Sequence, residues 1–576
     1  MTKKLLIAGS ALALICSCNS MENPLLKESS APFGAPEFDK IKNEHYLPAF
    51  EAGIAEAKAE IDAIVANQEE PTFENTIEAM EVSGQTLNNV AGIFFNLMEA
   101  NTNDEMQEIA EKVSPMLTEY SMYVSLNADL FQRVKAVYEK KDELGLAPDQ
   151  MKLLEDNYKS FVRGGANLSD EEKALYSKWS EELSLITLQF SKNVLAATNA
   201  YVLNITDSTQ LGGLPEFVKT MAAETAAEKG LEGWAFTLDA PSYSPFLKYS
   251  TERDLRKQIW TAYNTRAIGG ENDNTEIVKK IVDLRIKIAN ILGYETYADY
   301  ALEERMAKNK LTVNEFIKNL LEPSMEFAKK DVADVYAFAK KNGFEDSQLQ
   351  SWDFSYWSEK YQQAEYSLSA EELKPYFQLE SCIDAVLGLA TRLYGITFKE
   401  LDNVPVYHPD VKVYEVNDAD GRHLALFYAD FFPRASKRGG AWMTDFRGQS
   451  VRDGVEYRPF VTIVCNFTKP TADAPALITH DELTTFLHEF GHALHGMLAK
   501  GRYPSLTGTS VSRDFVELPS QIMENWAFEP EYLNSFAKHY QTGEPIPAEL
   551  IEKIVAAKNY LAAYGQVRQL HFGYLD

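Results

Sequence analysis

The chain has 576 residues, a formal net charge of -29 at pH 7, 45% hydrophobic residues and 24% charged residues. This length and apolar content are those of a globular protein with a large buried core, and they exclude an intrinsically disordered chain. The negative charge argues against nucleic acid as a partner, because binding to a polyphosphate requires a basic face.

Residues 1–17 have the pattern of a bacterial lipoprotein signal peptide. Two lysines form a basic beginning, and the apolar run at 5–15 is too short to span a bilayer as a stable helix. A small residue then precedes Cys18, which is predicted to be the lipid-modified first residue of the mature chain. Residues 18–35, rich in Ser, Pro and Asn, are predicted to form a tether. This predicts a lipid-anchored protein of the bacterial cell envelope, on the periplasmic side of the inner or outer membrane.

Residues 36–400 are predicted to be helical almost throughout. After Asn274, apolar residues recur at helical spacing from Ile277 to Leu292, and Gly293 is a helix stop signal. Similar segments follow one another without a fixed period, which argues against a solenoid. We therefore predict an assembly of helical lobes.

The pattern changes in residues 401–470, which are predicted to form a small β-sheet. Three short segments are β-branched and aromatic, with turn residues between them. They are VKVYEV (411–416), HLALFYADFF (423–432) and RPFVTIVCNF (458–467). Between the last two, the basic, Gly-rich stretch with Arg434, Lys437, Arg438, Gly439 and Gly440 is interpreted as a solvated loop, with substrate contact as the alternative.

Residues 471–576 return to a helical pattern and are predicted to hold the catalytic helices. Thr479 and Glu482 have the spacing of a capping box, which predicts a helix start, and Gly501 is a natural stop. From Leu483 to Met497 the apolar residues fall in one stripe along the predicted helix. The stripe is expected to pack into the core.

The opposite face of this helix carries the sequence HEFGH. His488 and His492 are one turn apart, so both can reach one metal ion. Glu489 lies beside them around the helix, where it can flank the metal without binding it, as a general base does. Incidental surface histidines are the alternative interpretation of this face.

A zinc site of this kind needs a third protein ligand and an open position. The segment RDFVELPSQIMENW (513–526) offers Asp514, Glu517 and Glu524, and spacing alone does not choose among them. Glu517 and Glu524 are two turns apart on one face. One of the two could therefore bind the metal, and the other could form a hydrogen bond to one of the metal ligands.

The motifs resemble those of the thimet oligopeptidase and peptidyl-dipeptidase family of zinc metallopeptidases, over nearly all of the predicted mature chain. They are PEFDKIKNEHYLPAF, SPFLKYSTERDLRKQIW, LGYETYADYALEERMA, ADFFPRASKRGGAWM, HDELTTFLHEFGHALHGML and VSRDFVELPSQIMENW. The resemblance implies one zinc ion bound by His488, His492 and Glu517, with Glu489 as general base; Glu524 remains the supporting candidate. It also implies a mainly α, two-lobed helical ellipsoid with a deep substrate channel and a small β-sheet beside the zinc helix, of the gluzincin type.

The resemblance implies zinc-dependent hydrolysis of short, unstructured peptides. The segment ELPSQIMENWAFEPEYLNSFAKHYQTGEPIP is most similar to the peptidyl-dipeptidase branch, which releases dipeptides from free C-termini. An endopeptidase similar to oligopeptidase A is the alternative. We expect a monomer that contacts a membrane only through its lipid anchor.

Two further expectations concern substrate binding and the end of the chain. A strand such as 424–430 or 460–467 is predicted to expose an edge near the zinc, where a peptide would pair by backbone hydrogen bonds, with a plain core strand as the equal alternative. The family resemblance implies a further Gly- and Tyr-rich segment after LAAYGQVRQLHFGYLD, which predicts that the C-terminus at Asp576 is truncated. A catalytically impaired, lipid-anchored peptide-binding fragment is therefore a second alternative.

Overall fold

The structure, a computed structural model, describes residues 23–452 and 454–576. The predicted signal peptide and Cys18 lie outside the described residues. The described part of the predicted tether packs against the protein: Phe33 stacks on His423 with ring centroids 4.6 Å apart, and Ala35 is fully buried. The composition predicted a tether, but the stacked ring of Phe33 and the buried Ala35 attach this part of the segment to the protein.

Helices dominate the chain up to residue 394. They are α1 (Asn43–Ala66), α2 (Ala79–Glu81), α3 (Gln85–Ala100), α4 (Asp104–Ser125), α5 (Ala128–Tyr138), α6 (Pro148–Arg163), α7 (Asp170–Ala200), α8 (Glu216–Glu228), α9 (Ala240–Tyr249), α10 (Arg253–Asn264), α11 (Thr275–Ile291), α12 (Tyr297–Leu302), α13 (Lys310–Lys341), α14 (Ser351–Tyr366), α15 (Ala370–Leu373) and α16 (Leu379–Tyr394). Strands β1 (Leu203–Ile205) and β2 (Trp234–Phe236) form a small antiparallel pair among them. The predicted mainly α fold is confirmed. Within the described residues, no helix combines the length and apolar character needed to cross a bilayer.

The main sheet has five strands in the order β3-β4-β5-β9-β6. Its strands are β3 (Thr397–Glu400), β4 (Lys412–Asn417), β5 (His423–Asp430), β6 (Trp442–Arg447) and β9 (Phe460–Val464), and a separate hairpin is formed by β7 (Ser450–Arg452) and β8 (Val455–Tyr457). Only β5 and β9 pair in parallel; the other neighbours are antiparallel.

The expectation that β5 or β9 exposes an edge is wrong. Each of these strands has a neighbour on both sides, and the outer strand beside β9 is β6. Strand β5 is buried along nearly its whole length and β9 along all of it. Their continuous apolar character is typical of strands covered on both faces, so it argued for the centre of the sheet.

Helices resume after the sheet. They are α17 (His480–Met497), α18 (Arg513–Val516), α19 (Leu518–Glu524), α20 (Pro530–Phe536), α21 (Ala548–Ala557) and α22 (Ala562–Leu575). The predicted apolar stripe of α17 is buried against the sheet, and Phe490 meets Phe427 of β5 edge to face at 5.6 Å. This packing fixes the rotation of α17 about its axis, so the sheet determines which way the opposite face points.

The loop after β5 is only partly the solvated turn that its composition suggested, since Arg438, Gly439 and Gly440 are exposed but Lys437 is buried. The side chains of Lys437 and Asp430 are both 0% exposed, and they form an ion pair of 2.8 Å. Arg434 binds the same carboxylate, and Lys437 also donates to the carbonyl oxygens of Phe432 and Cys465. A buried acid at the end of β5 attracts both cations inward, which the loop sequence alone did not reveal.

Candidate metal centre

Helix α17 begins where the sequence predicts. The Thr479 side chain accepts a hydrogen bond from the Glu482 backbone N–H, and the Glu482 carboxylate accepts one from the Thr479 N–H. This reciprocal capping satisfies two N–H groups that the helix would otherwise leave free. The helix ends at Met497, before the predicted stop at Gly501. Its first four turns carry the motif residues.

His488 and His492 lie one turn apart with ring centroids separated by 5.0 Å. The Glu517 carboxylate reaches both: its Oε2 lies 3.4 Å from Nε2 of His488 and 3.1 Å from Nε2 of His492. The three ligand atoms lie within 4.8 Å of one another. Of the three carboxylates that the sequence left open, Glu517 is the one whose oxygen meets both histidines.

Glu517 reaches this position because it occupies the junction between two short helices. It follows α18 and caps α19, in which Pro519 takes a first-turn position where the missing N–H costs nothing. The hydroxyl of Ser520 is fully buried and donates to Glu517, at 2.8 Å from both its Oε2 and its backbone oxygen. Ser520 therefore orients the carboxylate toward the histidines.

The approach of α19 to α17 depends on Gly491. A β-carbon at this position would lie 2.3 Å from the backbone oxygen of Pro519 and 2.7 Å from Cα of Ser520. Real β-carbons do not come so near to backbone atoms. Sequence reasoning missed both Gly491 and Ser520, although a glycine inside the HEFGH motif was a signal that another backbone comes close.

The other two candidate acids have different partners. Glu524 lies 2.7 Å from Nδ1 of His488, so it contacts the first histidine from the side away from Glu517. Asp514 accepts a hydrogen bond from the backbone N–H of Met306 at 3.0 Å and takes no part in the cluster. Nδ1 of His492 is buried and has no hydrogen-bond partner among the described residues.

Glu489 is only 6% exposed and points away from bulk solvent. Burial, partly offset by His488 and reinforced by Glu517, raises the pKa of its carboxyl to about 7. Its Oε2 has no hydrogen-bond partner among the described residues. A carboxyl group with a pKa near neutrality and a free oxygen is suited to accept and return a proton.

The electrostatics of Glu517 differ from those of Glu489. Burial opposes its ionisation, but the hydrogen bond from Ser520 and the nearby His492 and His488 outweigh burial and lower the pKa of its carboxyl. Glu517 is thus held as a carboxylate. Two imidazoles and one carboxylate form a donor set that fits zinc and leaves a fourth position for water or substrate.

The remaining histidines of the region have other surroundings. His480 lies 2.7 Å from the carbonyl oxygen of Ala527, and its ring lies between those of Phe377 and Phe528. His495 contacts Phe515 edge to face at 6.1 Å, one turn beyond His492. Both support the packing around α17 and neither belongs to the metal-binding cluster.

A large cavity of about 800 Å³ lies beside the first turns of α17. Thr485, one turn before His488, lines it, and so do Gly440 and Ala441, which directly precede strand β6. The cavity is lined by polar and charged side chains as well as by apolar and aromatic ones. The apolar and aromatic side chains include those of Phe217, Pro245, Tyr249, Phe467, Phe528 and Tyr560.

Comparison with known proteins gives consistent results along the chain. The model of peptidase family M3 matches residues 246–576. Dipeptidyl carboxypeptidase of Escherichia coli (strain K12) is 39% identical over 559 residues, covering 96% of this chain and 81% of that protein. Oligopeptidase A of the same strain is 38% identical over 563 residues, covering 96% and 82%. A probable cytosolic oligopeptidase A of Arabidopsis thaliana is 36% identical over 569 residues, covering 96% and 80%.

These relatives contradict the predicted lipid-anchored location in the cell envelope. One of them is named as cytosolic, and none of the three is named as a lipoprotein. The prediction rested on a short apolar run followed by a cysteine, a pattern of few residues that carries little information. The prediction of a lipid-anchored location in the cell envelope is therefore wrong.

Proposed function

The chain belongs to peptidase family M3, and from this premise we propose that it uses one zinc ion to hydrolyse short peptides and releases dipeptides from free C-termini. The proposed ligands are His488, His492 and Glu517, and the proposed general base is Glu489. The observation that carries the proposal is the convergence of three donor atoms within 4.8 Å beside a buried carboxyl group.

The residues divide the chemistry between them. When bound, zinc would supply Lewis acidity to the attacking water and to the scissile carbonyl. Glu489 takes a proton from the water while the water oxygen bonds to the carbonyl carbon. Glu489 then delivers that proton to the leaving amine as the C–N bond breaks. Its raised pKa of about 7 suits both transfers, because the group can exist in both protonation states near neutral pH.

Two further residues orient the proposed ligands. Glu524 accepts a hydrogen bond from Nδ1–H of His488, which leaves Nε2 unprotonated and free to bind the metal. The Ser520 hydroxyl donates to Oε2 of Glu517, the same oxygen that lies nearest to the two histidines. Such contacts fix ring tautomers and carboxylate orientation, and they usually matter for metal affinity nearly as much as the ligands do.

Strand β6 is the proposed binding surface for the peptide backbone. It pairs with β9 on one side, and it contacts α17, the helix that carries His488 and His492. Backbone pairing along a strand edge would tolerate many side chains. The Asn96 side chain already donates to the carbonyl oxygen of Asp445 at 2.6 Å, so the free part of the edge lies toward Trp442.

An endopeptidase is the second candidate function. Oligopeptidase A matches this chain over the same 96% and at nearly the same identity as dipeptidyl carboxypeptidase. The two candidates share the metal centre and the chemistry. They differ in whether the peptide must end two residues after the cleaved bond.

Hydrolysis of an N-blocked tetrapeptide by the zinc-loaded protein tests the proposal. We expect the C-terminal dipeptide as the product, identified by mass, and at least a thousandfold loss of turnover in Glu489→Gln with zinc still bound. A longer peptide with an amidated C-terminus distinguishes the candidates, since only an endopeptidase should cleave it in its interior. Stoichiometric zinc without turnover of either peptide would contradict the proposal.

A further inference from the structure

The cavity beside α17 contains a buried cation that has no anionic partner in direct contact among the described residues. Lys374 follows α15, lines the cavity and is only 4% exposed. Its ammonium group lies 3.1 Å from the centre of the Phe217 ring, and among the described residues it forms no hydrogen bond and no ion pair. A buried charge is costly unless it is paired, so an unpaired one facing a cavity indicates a missing anionic ligand.

The acids around the cavity do not supply this partner. Glu482 is engaged by the backbone N–H groups of Thr468 and Thr479. Glu359 lies 3.7 Å from Lys248. Asp481 is exposed to solvent, where water screens its charge.

Glu371 is the remaining acid, and it interacts with Lys374 only at a distance. No ion pair joins the two side chains among the described residues, and burial raises the pKa of the Glu371 carboxyl to about 7. Glu371 and Glu482 therefore act on Lys374 through space, and no carboxylate of the described residues contacts its ammonium group directly.

Lys374 lies near the part of α17 that precedes the metal-binding cluster. It interacts electrostatically with Glu482, which precedes His488 by six residues on α17. Six helical residues correspond to a rise of about 9 Å. Two extended residues of a peptide span about 7 Å, which is comparable with this rise along the helix.

The direction of the peptide agrees with this position. The cavity lies at the N-terminal end of β6, since Gly440 and Ala441 line it. A peptide pairing antiparallel with β6 would run its own C-terminal end toward the cavity. Antiparallel pairing is the more frequent arrangement, and an ammonium group there would favour a carboxylate over a peptide N-terminus.

We infer that the cavity is the binding site for the C-terminal residue of the substrate and that Lys374 pairs with its terminal carboxylate. The apolar wall, including Pro245 and Phe467, would receive the side chain of that residue. This inference rests on the proposed function and names the residue that selects free C-termini. Lys374 would act as a specificity-determining residue, remote from the reacting atoms.

Binding of product dipeptides tests the inference without requiring turnover. The zinc-loaded protein is titrated calorimetrically with Ala-Phe, Ala-Phe amide and Ala-Glu amide, which carry a terminal carboxylate, no carboxylate and a side-chain carboxylate. We expect Ala-Phe to bind at least tenfold more tightly than either amide. Lys374→Met should remove this preference by weakening Ala-Phe alone, and Lys374→Arg should retain part of it.

Lys558→Met is the matched control, because Lys558 also lines the cavity but is exposed. It should leave the preference within about twofold of the wild-type value, since water screens an exposed charge. Equal affinity of the wild-type protein for Ala-Phe and its amide would overturn the inference, as would a preference that survives in Lys374→Met. Tighter binding of Ala-Glu amide than of Ala-Phe amide, lost in Lys374→Met, would instead assign the site to acidic side chains and overturn the terminal assignment.

The outcome separates this inference from the proposed function. Tetrapeptide hydrolysis reports on the metal centre, and dipeptide binding reports on the cavity. If the wild-type protein hydrolyses the tetrapeptide but shows no preference for the free acid, only the cavity assignment fails. If it binds the free acid through Lys374 but hydrolyses nothing, only the proposed function fails.

Discussion

At the scale of single residues, Glu489 combines a proposed catalytic role with a cost to stability. Its carboxyl has a pKa of about 7 in the folded, metal-free chain, against 4.5 as the ordinary value. Between these values the folded state holds a proton that the unfolded state releases. The free energy of unfolding therefore falls as the pH rises from about 4.5 to about 7, and the total loss from this group is on the order of 3 kcal/mol.

Glu489→Gln should therefore stabilise the metal-free protein increasingly as the pH rises from about 4.5 to about 7, and fully above that. We expect its melting temperature to exceed that of the wild type by several degrees at pH 8 and to match it near pH 4, because the wild-type carboxyl is mostly neutral there in both the folded and the unfolded state. Calorimetric melting of both metal-free proteins at the two pH values measures this. An equal gain at both pH values would show that ionisation of Glu489 is not the cause.

Glu524 should contribute to metal affinity although it is not one of the three proposed ligands. It lies 2.7 Å from Nδ1 of His488, and the corresponding nitrogen of His492 lacks a partner among the described residues. Glu524→Ala should weaken zinc binding about 10–100-fold, the usual cost of losing such a contact. Competition with a chromogenic chelator measures the dissociation constant.

Asp514→Ala is the control for this prediction. Asp514 is an acid of the same segment, but its carboxylate binds the backbone N–H of Met306. Zinc affinity should stay within about twofold of the wild-type value in this variant. Similar losses in both variants would indicate a general loosening of residues 513–526 and not a specific contact of His488.

At the scale of elements, the close approach of α17 and α19 brings the three proposed ligands together. A β-carbon at Gly491 would meet rigid backbone, at 2.3 Å from the oxygen of Pro519. At Gly496 it would meet Cε of Met443 at 2.7 Å, the flexible end of a side chain that can move aside. The two glycines of one helix thus differ in what a methyl group would displace.

Gly491→Ala should separate the two helices and move Glu517 away from the histidines. We expect at least a tenfold loss of zinc affinity and a fall in melting temperature, whereas Gly496→Ala should affect zinc affinity much less. Chelator competition and thermal melting of both variants provide the comparison. A larger loss of zinc affinity in Gly496→Ala would contradict the role assigned to Gly491.

The elements also show how far sequence reasoning reaches. The start of α17 was predicted to the residue because capping chemistry is local, at Thr479 and Glu482. Strand β6 was not predicted, because its sequence WMTDFR mixes polar and apolar residues without a clear alternation. Its place at the edge follows from pairing with β9, which no local pattern encodes.

The same limit applies to the candidate sites. The HEFGH motif could be recognised because His488, Glu489 and His492 lie within one helix. The assignment of the zinc ligands stays a prediction. The burial of Lys374 could not be foreseen, because Phe217 and Glu482 reach it from distant parts of the chain. Likewise, Lys437 looked like a loop cation until Asp430 was found beside it.

At the scale of the whole molecule, a bound zinc ion should stabilise the fold. The proposed ligands come from α17, which packs on the main sheet, and from the junction before α19. A ligand that binds only the folded state adds about 4 kcal/mol when its concentration is a thousand times its dissociation constant. For a chain of this size we expect removal of zinc to lower the melting temperature by several degrees.

Two variants test whether the stabilising zinc ion binds at the proposed ligands. His492→Ala should melt at the same temperature with and without zinc, because the cluster keeps only two of its three ligands. Glu489→Gln should keep the full zinc-dependent shift, since Glu489 is not one of the three proposed ligands. Scanning calorimetry in the presence of zinc or of a chelator measures each shift. A zinc-dependent shift that persists in His492→Ala would mean that the stabilising ion binds elsewhere in the chain, and the three-residue cluster would then lose its assignment as the metal centre.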